Sequence, residues 1–190
     1  MKEKEELRKK LLREGFDCYT FYLVAGNEDL ICSKLNRKYP GAYFLTLRKM
    51  MHKSKDGLKY DVESTLLEKH IFLYVKKDEC IDFMHDLNGL LYLNDNGNDG
   101  KLVGSDFEYA KWVLEIDGLI KMSTATLEEG PIVNEQPMKM VKITGGPLLM
   151  FKDSILKYSR RNRNCLVSLN IAGIKLETWL PFEWEIELPA

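Results

Sequence analysis

The stretch "ITGGPLLMFKDSILKYSRRNRNCLVSL", residues 143 to 169, places two turn signals between apolar segments. Gly145-Gly146-Pro147 predicts a turn, because glycine adopts left-handed backbone conformations and proline presets its own φ. The tract "KYSRRNRN" predicts a second, basic turn between the strands "SILKYS" and "CLVSLNI". A phosphate loop is not indicated, since the pattern predicts no helix after the two glycines to supply an N-terminal dipole.

The neighbouring segments continue the same pattern of short strands. "MKMVKI" precedes the stretch, and "GIKLETW" and "WEIEL" follow it, with no helical periodicity between them. Short strands joined by tight turns favour a closed barrel, which also removes exposed sheet edges. We therefore predict a small β-barrel domain over residues 138–190.

Residues 16–125 mix strands and helices. "CYTFYLV" predicts a strand, and the apolar residues that follow predict a helix ending at Pro40-Gly41. Three strands then come in succession, the first two joined by a hairpin at Asp56-Gly57, so we predict an antiparallel sheet. Further helices are predicted over residues 78–88 and from a capping box at Ser105-x-x-Glu108. The predicted fold class is α+β.

Charge and composition divide the chain further. Residues 1–15 form a charged extension with leucines at helical spacing, which predicts a short helix or a solvated extension with no role. Residues 126–137 carry three acidic side chains, none that are basic, and two prolines, so they predict a flexible linker. Residues 138–190 carry eight basic and five acidic side chains, and this contrast favours domains with different partners.

Several classes of protein are disfavoured by the sequence. The apolar runs are shorter than the ~20 residues of a membrane span, and the N-terminus lacks an apolar secretory core, so we expect a cytoplasmic protein without a membrane partner. The four cysteines are widely spaced and indicate neither a zinc site nor a disulfide framework. No catalytic or nucleotide-binding motif is present, so we expect no enzyme, catalytic residue, metal or cofactor.

The basic turn is the strongest polar feature. Its arginines can pair with phosphates while the adjacent tyrosine stacks on a base, which makes it a candidate RNA-binding site. The alternative is a solvated hairpin tip that uses arginine for solubility, and composition does not separate the two. The candidate residues are Lys157, Tyr158, Arg160, Arg161 and Arg163.

From about Cys18 to Leu188 the chain resembles the NusG family of transcription elongation factors. "CYTFYLVAGNE" is similar to the family's opening strand, with Tyr19, Gly26 and Glu28 at matching places and Cys18 where a tryptophan usually stands. The tail "VKITGGPLLMFKDSILKYSRRNRNCLVSLNIAGIKLETWLPFEWEI" resembles the family's KOW barrel. Its Gly-Pro-Leu and basic turn look most like LoaP, a group of specialised antitermination paralogues.

The resemblance implies an NGN-type domain over residues 16–125 that binds the clamp helices of RNA polymerase, and a KOW domain over residues 138–190. The family's polymerase-contacting segment corresponds to Leu66-Leu67-Glu68-Lys69-His70, so the implied contacts are Tyr22, Leu67, His70 and Phe72. Tyr22 and Phe72 are equally consistent with a core role, and a lone strand histidine such as His70 with a structural one.

The implied function is a monomeric antitermination factor whose KOW domain binds a structured nascent RNA. One alternative is a general factor whose KOW domain binds a ribosomal or termination-factor protein. Another is a ribosome-associated RNA-binding protein, which would have no use for a polymerase-binding domain.

Overall fold

The computed structural model describes residues 2–23, 27–77, 91–93, 100–133, 136–171 and 173–185. The predicted helix over residues 78–88 lies outside these ranges. Helices and several small sheets alternate along the described chain, which confirms the α+β class. The elements are α1 (Lys2–Glu14), β1 (Phe16–Leu23), α2 (Glu28–Lys38), β2 (Tyr43–Leu45), β3 (Arg48–Lys55), β4 (Leu58–Thr65), β5 (His70–Lys76), β6 (Leu91–Leu93), α3 (Gly104–Glu115), β7 (Leu119–Ile120), β8 (Ser123–Val133), β9 (Gln136–Gly145), a 3-10 helix (Pro147–Ser154), β10 (Ile155–Ser159), β11 (Asn164–Ile171) and β12 (Ile174–Trp184).

The chain divides into two compact units. The first comprises Met1–Arg48, Thr65–Leu119 and Ile171–Gly173, and the second comprises Lys49–Ser64, Ile120–Asn170 and Ile174–Ala190. Residues 49–64 therefore group with the second unit, although they fall within the N-terminal domain expected from the sequence.

The first unit is built on a four-stranded sheet with the order β2-β5-β1-β6. Strand β1 pairs antiparallel with β5, from Phe16↔Lys76 to Tyr22↔His70. On one face of β5, the side chains of residues 71, 73 and 75 pack with Cys32 and Leu35 of α2. The other face lies against α3, where the Tyr74 hydroxyl donates to the Ala110 carbonyl at 2.9 Å. Helices on both faces explain why β5 is an unbroken apolar run.

The helices of the first unit are held by side chains at their ends. The Arg8 guanidinium of α1 donates to the carbonyls of Leu114 and Glu115, at 3.1 and 2.9 Å, and so satisfies the C-terminal end of α3. Of the two alternatives that the sequence leaves open for residues 1–15, the structure has the helix, α1. The predicted capping box is wrong, because Val103 is the N-cap and Ser105 lies within the first turn of α3.

The second unit contains a five-stranded sheet with the order β10-β11-β12-β8-β9. Strand β12 pairs in parallel with β8, through Phe182↔Ser123 to Trp184↔Ala125. In the part of the chain that is described, this sheet is open, with β10 and β9 at its edges, instead of the closed barrel that the turn pattern predicts. The connection from β9 to β10 is also different, since a 3-10 helix with Leu148 and Phe151 buried follows the two glycines.

The segment predicted to be a flexible linker is largely strand. Residues 126–133 belong to β8, which pairs antiparallel with β9 from Thr124↔Gly145 to Val133↔Gln136. Both prolines occupy places that a ladder tolerates: Pro131 lies where the register shifts between Glu129 and Ile132, and Pro137 lies on the edge strand β9. The two prolines therefore mark a register shift and an edge strand. They do not mark the flexible linker that the composition predicts.

The Gly-Gly-Pro segment allows two strands to approach closely. Gly146 has a φ of +82°, and a Cβ built on it would lie 2.7 Å from the Cα of Ser123 at the start of β8. The Ser123 hydroxyl accepts a hydrogen bond from the Leu148 amide at 2.8 Å. Glycine is required at position 146 because a side chain would be strained at this positive φ and would collide with the backbone of Ser123.

The hairpin β3–β4 turns at Asp56-Gly57, as the sequence predicts, with φ values of +52° and +78°. The three successive strands do not share one sheet, however. Strands β3 and β4 are neighbours in the order β4-β3-β7, whereas β5 pairs with β1 and β2.

Candidate nucleic-acid interface

The basic turn connects β10 and β11 in the second unit. The last strand pair is Ser159↔Asn164, so residues 160–163 form a four-residue connection. Arg163 has a φ of +51°, in the left-handed region that a non-glycine residue adopts only at a cost. Its carbonyl accepts a hydrogen bond from the Phe182 amide at 2.9 Å, which ties the turn to β12.

The basic side chains of this turn face solvent. Lys157, Arg160, Arg161 and Arg163 are exposed, and Tyr158 is 39% exposed. No ion pair joins any of these four cations to a carboxylate among the described residues. Their charges are therefore available to an external anion.

A pocket of about 300 Å³ lies beside the turn, within the second unit. It is lined by residues 51–53 of β3, by residues 161–164 of the turn and the start of β11, and by Trp179 and Pro181 of β12. The Lys49 ammonium joins two of these walls, because it donates to the Thr178 hydroxyl at 2.6 Å and to the Trp179 carbonyl at 3.3 Å. Burial lowers the pKa of Lys49 from its ordinary value.

Two polar atoms of the pocket walls are buried without a hydrogen-bond partner in the described structure. They are the Nε2 atom of His52 and the Oδ1 atom of Asn164. The other ring nitrogen of His52, Nδ1, lies 2.7 Å from Oδ1 of Asp61. If Nδ1 carries the proton and donates to Asp61, Nε2 of the neutral ring is an acceptor.

The pocket combines three kinds of group. Lys53, Arg161 and Arg163 supply positive charge, His52 and Asn164 supply the unpaired polar atoms, and Trp179 supplies an aromatic surface that is 37% exposed. Cations pair with phosphate, and an exposed indole can stack on a base. This arrangement can bind a nucleotide unit without any covalent chemistry.

Two of the five predicted RNA-binding residues line this pocket. Arg161 and Arg163 do so, whereas Lys157, Tyr158 and Arg160 lie on the same hairpin outside the lining. Sequence reasoning missed His52, Lys53, Asn164 and Trp179. The available signal was the alternation along β12, where Trp179 is exposed between buried Thr178 and Leu180.

The residues predicted to contact RNA polymerase fall into two groups. Tyr22 is 40% exposed and His70 is partly exposed, and their rings meet edge to face with centroids 5.1 Å apart across β1 and β5. Leu67 and Phe72 are instead only 5% and 1% exposed. Phe72 stacks on Tyr74 on the face of β5 that α3 covers, so it is a core residue and not a contact surface.

In the described ranges, no three His, Cys, Asp or Glu side chains are grouped so as to hold a metal ion. Cys18, Cys32 and Cys165 are buried, and burial raises the pKa of each thiol, to about 12 for Cys32 and Cys165. High thiol pKa values make these cysteines poor nucleophiles. None of the described helices is long and apolar enough to span a bilayer.

Neither a family model nor a curated protein matches the chain.

Proposed function

We propose that the protein is a non-catalytic transcription elongation and antitermination factor of the NusG type. In this proposal the first unit acts as the NGN-like polymerase-binding domain, and the strands β10, β11 and β12 act as a KOW-like module that binds nascent RNA. The observation that carries it is the basic turn, where Arg160, Arg161 and Arg163 are exposed and have no carboxylate partner among the described residues.

The electrostatics of the turn support RNA over a protein partner. Adjacent arginines that have no carboxylate partner in the described ranges repel one another, and a phosphate backbone supplies negative charge at regular intervals. Arg163 also holds a left-handed conformation that glycine would adopt at less cost. A strained arginine at an exposed turn is accounted for if its charge serves binding.

The polymerase half of the proposal rests on Tyr22 and His70. The exposed ring of Tyr22 and the partly exposed ring of His70 form one aromatic patch on the first unit, with the Lys69 ammonium 6.0 Å from the centre of the Tyr22 ring. Exposed aromatic side chains are typical anchors of protein interfaces, and truncating a central one costs about 1 to 2 kcal/mol or more of binding free energy. Because both units belong to one chain, polymerase binding would raise the local concentration of the RNA site.

The RNA half is tested by the salt dependence of binding to a labelled RNA hairpin with an unpaired loop. If several turn cations contact phosphates, affinity should fall steeply with salt, and Arg161→Gln should flatten the slope by about 0.7 to 0.9 of a unit. The matched control is Arg37→Gln, which removes the same charge from an exposed position on α2. Binding that does not respond to salt would contradict the proposal.

A second variant separates binding from folding at the turn. Arg163→Gly should leave stability unchanged or slightly higher, because about 1 to 2 kcal/mol of backbone strain is relieved and about 0.5 to 1 kcal/mol is lost to chain entropy. The same variant should weaken RNA binding. Unchanged RNA affinity would mean that Arg163 contacts no phosphate.

The polymerase half is tested by co-elution with a bacterial core RNA polymerase elongation complex. We expect wild type to co-elute and the Tyr22→Ala, His70→Ala double variant to be lost from the complex. Tyr60→Ala, which removes an exposed aromatic side chain of the β3–β4 hairpin, is the control. Failure of wild type to co-elute would refute this half and leave free RNA as the partner.

A further inference from the structure

We propose that the pocket beside the basic turn holds one unpaired nucleotide of the RNA, with its base stacked on Trp179 and its phosphate paired with the turn. This inference rests on the RNA half of the proposed function, which it deepens by naming the bound unit and its contacts. It adds His52, Lys53, Asn164 and Trp179 to the residues that the sequence indicates.

The size of the pocket suits a single nucleotide. Its volume of about 300 Å³ lies at the lower end of the range of about 300 to 1,000 Å³ typical of small-molecule sites. A duplex would meet only the exposed rim of the turn. An unpaired base, as found in RNA loops and bulges, can leave its stack and enter.

Three elements hold the pocket walls in place. The Lys49 ammonium links β3 to β12 through Thr178 and the Trp179 carbonyl, and the Phe182 amide fixes the turn through the Arg163 carbonyl. Asn164 is the first residue of β11 and follows the turn directly. The backbone that carries Trp179 and Arg163 is therefore fixed before any ligand arrives.

The polar atoms of the walls indicate which bases fit. A buried polar atom without a partner is costly. Because both atoms are buried, a base reaches them only if the two side chains turn toward the pocket, and a ligand that then supplies the missing hydrogen bond gains affinity. Oδ1 of Asn164 is an acceptor, and Nε2 of His52 is also an acceptor when Nδ1 donates to Asp61. The amino group of adenine or cytosine carries two N–H donors and can serve both acceptors, whereas uracil offers the single N3–H donor between two carbonyl acceptors. We expect the order adenine or cytosine above uracil.

The aromatic and polar walls distinguish this site from a simple anion site. Arg161, Arg163 and Lys53 alone would bind any polyphosphate. Trp179 is exposed among these cations, and stacking on a base explains an indole at that position. A base-free polyanion would use the cations and leave both unpaired atoms without partners.

The test compares labelled eight-nucleotide oligo(A), oligo(C) and oligo(U) for binding to the full chain by fluorescence anisotropy. Trp179→Ala should weaken oligo(A) binding at least about fivefold with an unchanged salt slope, because stacking carries no net charge. Trp179→Phe should retain most of the affinity. Asn164→Ala should reduce the preference for oligo(A) and oligo(C) over oligo(U), and Tyr60→Ala on the neighbouring hairpin should change nothing.

The outcomes separate this inference from the function on which it rests. Absence of RNA binding by wild type would overturn the RNA proposal itself. Salt-dependent binding that Arg161→Gln weakens, but Trp179→Ala and Asn164→Ala leave unchanged, would overturn the pocket and keep the RNA proposal. Equal binding of the three oligonucleotides, or full competition by inorganic tripolyphosphate at equal phosphate concentration, would show an anion site that reads no base. Thermal melts that match wild type exclude misfolding as the cause of a loss.

Discussion

Alanine at position 146 should destabilise the second unit through two separate effects. Gly146 has a φ of +82° and a ψ of −171°, a region that side chains rarely adopt, and the conformational cost is about 1 to 3 kcal/mol. The added Cβ would also lie 2.7 Å from the Cα of Ser123 and 3.1 Å from the Met122 carbonyl oxygen. Both atoms are backbone, so β8 must move, and overpacking of this kind costs about 1 to 3 kcal/mol more.

The expected loss for Gly146→Ala is therefore about 2 to 6 kcal/mol, measured by urea unfolding followed by circular dichroism. Gly57→Ala is the matched control in the same unit, because Gly57 has a similar φ of +78° but no atom within 4 Å of the built Cβ. Gly57→Ala should lose only the conformational part of the free energy of unfolding, without the overpacking part. A loss at Gly146→Ala no larger than the loss at Gly57→Ala would refute the close approach of the strands.

Other substitutions test the remaining contacts. Asn36→Ala should cost about 1 to 3 kcal/mol in urea unfolding, because its amide pairs with both backbone groups of buried Phe44, at 2.7 and 2.9 Å. Arg8→Lys should cost about 0.5 to 1.5 kcal/mol in the same assay, since one ammonium replaces a guanidinium on two helix-end carbonyls. Burial raises the pKa of Cys165 from 9.0 to about 12, so its contribution to stability is present below pH 9 and is lost as pH rises toward 12. Wild type should lose more stability than Cys165→Ala between pH 8 and pH 10.5.

Local signals predicted the elements that are stabilised locally. The helix ending before Pro40-Gly41 and the hairpin at Asp56-Gly57 were predicted because their capping and turn chemistry is encoded within a few residues. The error over residues 126–137 has the opposite cause. Pairing of β8 with β9 and with β12 determines that segment, and composition does not report such partners.

The candidate site also combines a part that local sequence predicts with a part that depends on distant residues. The basic turn was visible as a run of arginines, but the pocket joins residues 51–53 to residues 161–164 across more than a hundred residues of chain. No local pattern predicts that approach. The sequence left Phe72 open between a contact role and a core role for a related reason, because an apolar strand buried on both faces has the same residues as one with an exposed apolar face.

The central place of β12 imposes an order of assembly during synthesis. Strand β12 lies between β11 and β8, yet it leaves the ribosome after the other four strands of its sheet. Until residues 174–184 emerge, β8 and β11 have no common neighbour, and Trp179 and Pro181 are missing from the pocket. A nascent or prematurely ended chain would therefore carry the arginines of the turn without the Trp179 wall of the pocket. If the proposed RNA binding holds, base selection would begin only after the ribosome has completed β12.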